Sequence, residues 1–176
     1  MEEDLVRVDV LPVPDSNVNL VDKKVVVIDV LRATSTIVTA LGNKASEIIP
    51  AIEPAEVVDL VRVIGSKECL TGGERKGLKI EGFDLGNSPA EYTEERISGK
   101  RLILCTTNGT KAIKSAQGAA EVWIGSFLNI GAVTDRLQDS TRDIVLICSG
   151  RDHSLCLEDM ACAGAMIQFL QASIRP

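Results

Sequence analysis

Short apolar runs alternate along the chain with segments whose apolar positions fall three or four apart, a rhythm that predicts strands each followed by a helix. Residues 25–30 are one such run, ending in Asp29-Val30. Residues 34–41 predict a helix closed by Gly42-Asn43, and residues 46–50 a second strand. Glu53-Pro54 opens a second helix, because proline is tolerated in a first turn, and Val57, Leu60, Val61 and Ile64 give it an apolar face. Residues 69–71 read as a short strand. Further strands are predicted at 101–105, 121–124 and 144–148, and helices at 109–116, 129–137 and 157–170. Residues 5–12 alternate weakly and fit an edge strand.

Residues 72–87 break the rhythm. They hold Gly72, Gly73, Gly77, Gly82 and Gly86 among charged residues and predict a long loop. The loop runs into Ser88-Pro89-Ala90-Glu91, where Ser88 as N-cap, Pro89 at N1 and Glu91 at N3 predict a capped helix. Strand-then-helix order implies right-handed crossovers. The expected fold is a single α/β domain over residues 1–176, three-layered, with a mostly parallel twisted sheet and helices on both faces. Ligands in such folds sit beyond the carboxyl ends of the strands.

Composition narrows the function. The chain has 176 residues, 45% hydrophobic and only 3% aromatic, so its core is aliphatic. A net charge of -6 and a pI near 4.9 argue against nucleic acid as partner. No apolar run approaches the roughly 18 residues of a membrane span, and Met1-Glu2-Glu3-Asp4 has no apolar signal core, so no membrane partner and a cytoplasmic location are expected. Cys69, Cys105, Cys148, Cys156 and Cys162 follow no zinc spacing and read as small reduced hydrophobes.

Three strands end in polar chemistry. After the first come Asp29, Arg32, Thr34, Ser35 and Thr36, where a carboxylate so close to a core needs a cation or donors to offset its desolvation. Thr34 and Ser35 are as readily helix caps as ligands. After the 101–105 strand come Thr106, Thr107, Asn108, Gly109, Thr110 and Lys111, a strand-to-helix junction suited to an oxyanion. On that reading Gly109→Val weakens phosphate binding and leaves the fold intact. After the 144–148 strand come Ser149, Gly150, Arg151, Asp152 and His153, then Glu158-Asp159 at a helix start. That acidic pair either complements the helix dipole or supplies a Mg²⁺ ligand. Arg75, in the glycine-rich stretch, offers a fork of donors to a sulfonate or carboxylate.

Taken together and in order, several stretches resemble the 2-phosphosulfolactate phosphatase family. They are Asp29-Val30-Leu31-Arg32-Ala33-Thr34-Ser35-Thr36, Gly73-Glu74-Arg75, Gly82-Phe83-Asp84-Leu85-Gly86-Asn87-Ser88-Pro89, Thr106-Thr107-Asn108-Gly109-Thr110, Gly125-Ser126-Phe127-Leu128-Asn129, and Glu158-Asp159 with Ala163-Gly164. The resemblance implies Mg²⁺-dependent hydrolysis of 2-phospho-3-sulfolactate, or a similar small 2-phospho acid, to 3-sulfolactate and phosphate, a step towards coenzyme M. It implies that similar sequences continue past residue 176, and it leaves a homodimer open. Asp29, Arg32 and Glu74 are nominated as catalytic. Ser35, Thr36, Arg75, Thr106, Thr107, Asn108, Gly109, Thr110, Lys111 and Asn129 are nominated for substrate. Asp29 and one of Glu158 and Asp159 are nominated for Mg²⁺. Where similar sequences often carry arginine at position 111, this chain has Lys111.

Three other readings compete. A haloacid-dehalogenase-type phosphatase needs a second Asp two positions after the first, and Leu31 stands there. An isochorismatase-like cysteine hydrolase would use Asp29 as base and Cys148 as nucleophile. A non-catalytic anion-binding or interaction domain would need only the donors.

Overall fold

The computed structural model describes residues 6–173. In chain order the elements are β1 (Val8–Leu11), β2 (Lys24–Ile28), α1 (Ala33–Gly42), β3 (Glu47–Ala51), α2 (Pro54–Ile64), β4 (Cys69–Arg75) and β5 (Leu78–Lys79). A 3₁₀ turn (Pro89–Glu91), α3 (Glu94–Ile97), β6 (Arg101–Cys105), α4 (Gly109–Ser115), β7 (Glu121–Gly125), α5 (Ile130–Leu137), β8 (Ile144–Cys148) and α6 (Leu157–Ser173) complete it.

The strands form two sheets, in the orders β1-β8-β2-β7 and β3-β6-β4-β5, and every pairing is parallel except the β4–β5 hairpin. The expected α/β class and mostly parallel pairing hold, with the strands divided between two sheets instead of one. β1 is an edge strand, as its weak alternation predicts; Leu5 of that prediction lies outside the described residues.

Alternate residues explain the layers. Val26, Ile28 and Leu146 face α5 and α6 through Val133, Leu137, Cys162 and Met166. Val25, Val27, Val145 and Ile147 face the other way, onto Ala112 and Ala116 at α4. In the second sheet Leu102 and Leu104 meet Ile37 and Ala40 of α1, while Ile103 and Cys105 meet Val57 of α2. Strands covered on both faces need apolar side chains at every position, which is why these runs read as continuous rather than alternating. Helix α1 touches both β7 and β3, and α4 both β2 and β3, so these two helices bridge the sheets.

Two predictions fail locally. The stretch 72–87 is not one loop: Gly72 to Arg75 extend β4, and Leu78 and Lys79 return antiparallel to it. Gly73 permits this, since at φ +147° an added Cβ would run into the Cys105 carbonyl. The capped helix at Ser88 is only a 3₁₀ turn without a side-chain cap. Glu91 instead accepts the Gly86 N–H at 2.9 Å, and the buried Tyr92 hydroxyl donates to the Gly86 carbonyl at 2.7 Å. Bonds back to Gly86, five and six residues upstream, thus replace the capping pattern.

Candidate active site

Strands β2 and β8 end level with each other, Ile28 opposite Cys148, so Asp29 and Ser149 emerge side by side. In the second sheet Gly73 lies opposite Cys105, and Glu74 and Thr106 follow. Between these ends lies a cleft of about 610 Å³, lined by residues that include Asp29, Arg32, Glu74, Lys76, Asn87, Thr107, Asn108, Ser149, Arg151, Glu158 and Asp159.

The turn after β2 is built by hydroxyls. Thr34 Oγ1 accepts the Asp29 N–H at 3.0 Å and donates to the Asp29 carbonyl at 2.8 Å, and Ser35 Oγ donates to the Val30 carbonyl at 2.7 Å. They fix Asp29, which is 7% exposed, with Oδ1 accepting the Ala33 N–H at 3.2 Å. Burial, with the neighbouring Asp159 charge, pushes its carboxyl up to about 6. Asp159, 2% exposed, accepts the Val30 N–H at 2.8 Å and the Ser149 hydroxyl at 3.2 Å. Burial raises its pKa too, and those two donors offset it in part. Asp29 and Glu158-Asp159 therefore open on the same cleft although 129 positions separate Asp29 from Glu158 in the chain.

Glu74, 8% exposed, is held by three donors: the Thr107 N–H (2.7 Å), the Thr107 hydroxyl (3.1 Å) and the Gly77 N–H (2.6 Å). Burial alone would raise its pKa, but these bonds outweigh it and the net shift is downward. Arg32 donates to the Gly77 carbonyl at 3.3 Å, tying the β4–β5 turn to the first sheet as well.

Other nominated residues stand elsewhere. Alternation along β4 sends Glu74 to the cleft and Arg75 to the opposite face. There its guanidinium donates to the Ile52 carbonyl, contacts Cys105 at 3.3 Å and pairs with Glu53 at 3.6 Å. Thr36 is committed to the Asn87 carbonyl, and Thr106 and Thr110 bond to each other across the turn before α4. Asn129 closes the turn after β7 through Ser126 N–H and the Ile124 carbonyl. Lys111 is exposed on α4 and does not line the cleft. Of the proposed oxyanion junction, Thr107 and Asn108 line the cleft, and the Thr107 N–H already serves Glu74. Gly109 packs so tightly that a Cβ would overlap Ala33 Cβ and Asp29 Oδ2, so Gly109→Val tests the fold before it tests binding. The sequence reading did not nominate Lys76, Asn87, Ser149 or Arg151 as site residues; the last two follow a strand that was read correctly.

Residues 12–175 match the family described as 2-phosphosulpholactate phosphatase. The chain belongs to that family. It is 45% identical over 154 residues to a protein of Caldanaerobacter subterraneus, and 46% over 146 residues to one of Clostridium acetobutylicum. It is 48% identical over 164 residues to one of Thermotoga petrophila. Each bears the name "Probable 2-phosphosulfolactate phosphatase". These alignments cover 88%, 83% and 93% of this chain but 64%, 62% and 69% of the relatives. The chain thus spans about two thirds of the length of these relatives.

The family resemblance implies magnesium, and the donors in the cleft suit it. Asp29, Glu158 and Asp159 offer hard oxygens, and a cation would relieve the conflict that Asp159 imposes on Asp29. Among the described residues no three His, Cys, Asp or Glu side chains form a ready-made metal cage. Magnesium needs none, since one or two carboxylates suffice with water and substrate oxygens. Cys148 is a poor nucleophile for the rival hydrolase reading. It is fully buried, and burial, then Asp159, push its thiol up to about 12.

Proposed function

We propose that this cleft hydrolyses a small 2-phospho acid, 2-phospho-3-sulfolactate, to 3-sulfolactate and phosphate. The observation that carries the reading is the buried Asp29–Asp159 pair at the carboxyl end of a parallel sheet, with Arg32, Lys76 and Arg151 lining the same cleft. The names of the relatives support that substrate. Arg32 and Lys76, beside the β4–β5 turn, bind the phosphoryl oxygens; Arg151, beyond β8, takes the sulfonate or carboxylate. Asp29 orients the attacking water. The new O–P bond forms as the ester P–O bond breaks, and the proton lost by the attacking water is made up, by way of solvent, on the departing alkoxide, which leaves as the sulfolactate hydroxyl. Asp29 and Asp159, with Glu158 beside them, would hold Mg²⁺, which supplies neutralisation of phosphate charge. Glu74 acts indirectly, by holding Thr107 and the Lys76–Gly77 turn in place.

The test is phosphate release from 2-phospho-3-sulfolactate by the purified chain, with Mg²⁺ and with EDTA. Release that requires Mg²⁺ is the expected result. Anion binding without release under either condition would make the chain an anion-binding domain instead.

A further inference from the structure

Gly86 and Asn87 have most of their backbone polar groups committed. The Gly86 carbonyl accepts the Gly73 N–H at 3.1 Å and the Tyr92 hydroxyl at 2.7 Å. The Gly86 N–H donates to Glu91 at 2.9 Å, and the Asn87 carbonyl accepts the Thr36 hydroxyl at 3.1 Å. The Asn87 side chain is treated differently. The residue is only 5% exposed and lines the same cleft as Arg32, Lys76 and Gly77. Yet its Oδ1 is the one buried side-chain oxygen or nitrogen among the described residues without a hydrogen-bond partner. The amide nitrogen makes no hydrogen bond to them either, and unlike Oδ1 it is not fully buried.

A buried acceptor left unpaired destabilises a fold, and such a group in a native protein calls for a reason. Packing does not require it, because an apolar side chain would fill the space without the penalty. A backbone pinned from several sides, carrying an amide that nothing holds, is the arrangement of a preformed ligand contact. Arg32 and Lys76 line the same cleft, and the phosphate ester read for it sets the sign of that ligand. We propose that Asn87 is a substrate-binding residue whose Nδ2 donates to an oxyanion oxygen of the bound ester. The assignment rests on reading this cleft as the site of an anionic phosphate ester.

The experiment titrates inorganic phosphate into the full chain in Mg²⁺ buffer by calorimetry, for wild type, Asn87→Ala and Asn87→Asp, and follows their thermal unfolding. Asn87→Ala should weaken phosphate binding roughly tenfold or more, as expected for a lost donor to a charged group. It should unfold at or above the wild-type temperature, because the orphaned oxygen is gone. Asn87→Asp, equal in shape but without the donor and with a charge of the wrong sign, should bind phosphate more weakly still. Unchanged phosphate affinity in Asn87→Ala, or no phosphate binding by wild type, overturns the proposal. A melting temperature well below wild type in Asn87→Ala assigns the side chain to the fold and overturns it equally. Tighter Mg²⁺ binding by Asn87→Asp with phosphate affinity retained would make Asn87 a cation-side acceptor and also overturn it. Phosphate binding that depends on Asn87 in a chain unable to hydrolyse phosphosulfolactate leaves this inference standing and removes the proposed reaction. Hydrolysis with an unaltered KM in Asn87→Ala does the reverse.

Discussion

Asp29 concentrates the tension of the site in one carboxyl group. Unfolded, it titrates near 3.8; folded, near 6. Below the first value the group is protonated in both states and folding carries no penalty. Between the two, the unfolded chain releases a proton that the folded chain keeps, so stability falls as pH rises. Above about 6 both are ionised and the penalty is complete, about 3 kcal/mol at roughly 1.4 kcal/mol per unit. Asp159 is raised as well and acts in the same direction. Glu74 is lowered, so its contribution is present above its unfolded value of 4.5 and lost as pH falls further. The metal-free protein should therefore lose stability as pH rises from about 4.5 through about 6. Asp29→Asn should flatten much of that slope, be more stable at pH 7, and hydrolyse nothing. Added Mg²⁺ should stabilise wild type at pH 7 by mass action and leave Asp29→Asn nearly unaffected. Urea titrations across that pH range, with and without Mg²⁺, check all three, and a wild-type profile as flat as the mutant's would contradict the account. Asp29 was legible in the sequence because a carboxylate after four apolar residues has few structural uses. Asn87 was not, since an Asn after Gly is what any turn would carry, and only the burial of its amide sets it apart.

Among the elements, the strands and helices flanking the cleft follow their hydrophobic runs to within three residues. β4 does not, because Gly72 and Gly73 carry no side-chain pattern from which to read it. That gap also hid the parity of the strand, and with it which of Glu74 and Arg75 faces the cleft. Arg75 was nominated for its guanidinium, yet it faces the other side; Lys76, in the turn, lines the cleft. Glu74 fixes that turn. Its carboxylate joins the β4–β5 hairpin to the loop after β6 through three bonds. A glutamine has one acceptor oxygen and would direct an NH₂ at one of the two N–H donors. Hydrogen bonds to charged groups contribute about 1.5–3 kcal/mol each, so Glu74→Gln should destabilise the chain by about 2–4 kcal/mol. The losses should localise: amide exchange should accelerate at Gly77 and Thr107 before the core strands respond. Uniform acceleration through β6 and β8 would mean that Glu74 supports the fold at large and not this turn.

At the scale of the whole molecule, charge decides how an anion can enter. The chain carries a net -6, and the cleft repeats that sign: Arg32, Lys76 and Arg151 face Asp29, Glu74, Asp152, Glu158 and Asp159. Three cations against five acids leave the cleft unfavourable to a phosphate ester that also bears a sulfonate and a carboxylate. A bound divalent cation would cancel that deficit, so anion and cation binding should be strongly coupled. By linkage the coupling is reciprocal: phosphate should tighten Mg²⁺ by the same factor by which Mg²⁺ tightens phosphate. Salt gives the sign of the field directly. From about 0.01 M to about 0.15 M the screening length falls from about 30 Å to about 8 Å. In EDTA the net interaction is repulsive, so added salt should improve the weak binding of phosphate or leave it unchanged. With Mg²⁺ present that repulsion is cancelled and the anion's close contacts to the ion and to the cleft cations dominate, so the same salt should weaken binding and raise the KM for phosphosulfolactate, with kcat little altered. Arg151→Ala should reduce that salt dependence for substrates carrying a second anionic group and leave it nearly unchanged for inorganic phosphate. Calorimetry and initial rates at the two ionic strengths measure each arm. If salt weakens phosphate binding equally with and without Mg²⁺, the cations lining the cleft already outweigh its acids, and the metal has some other role than admitting the anion.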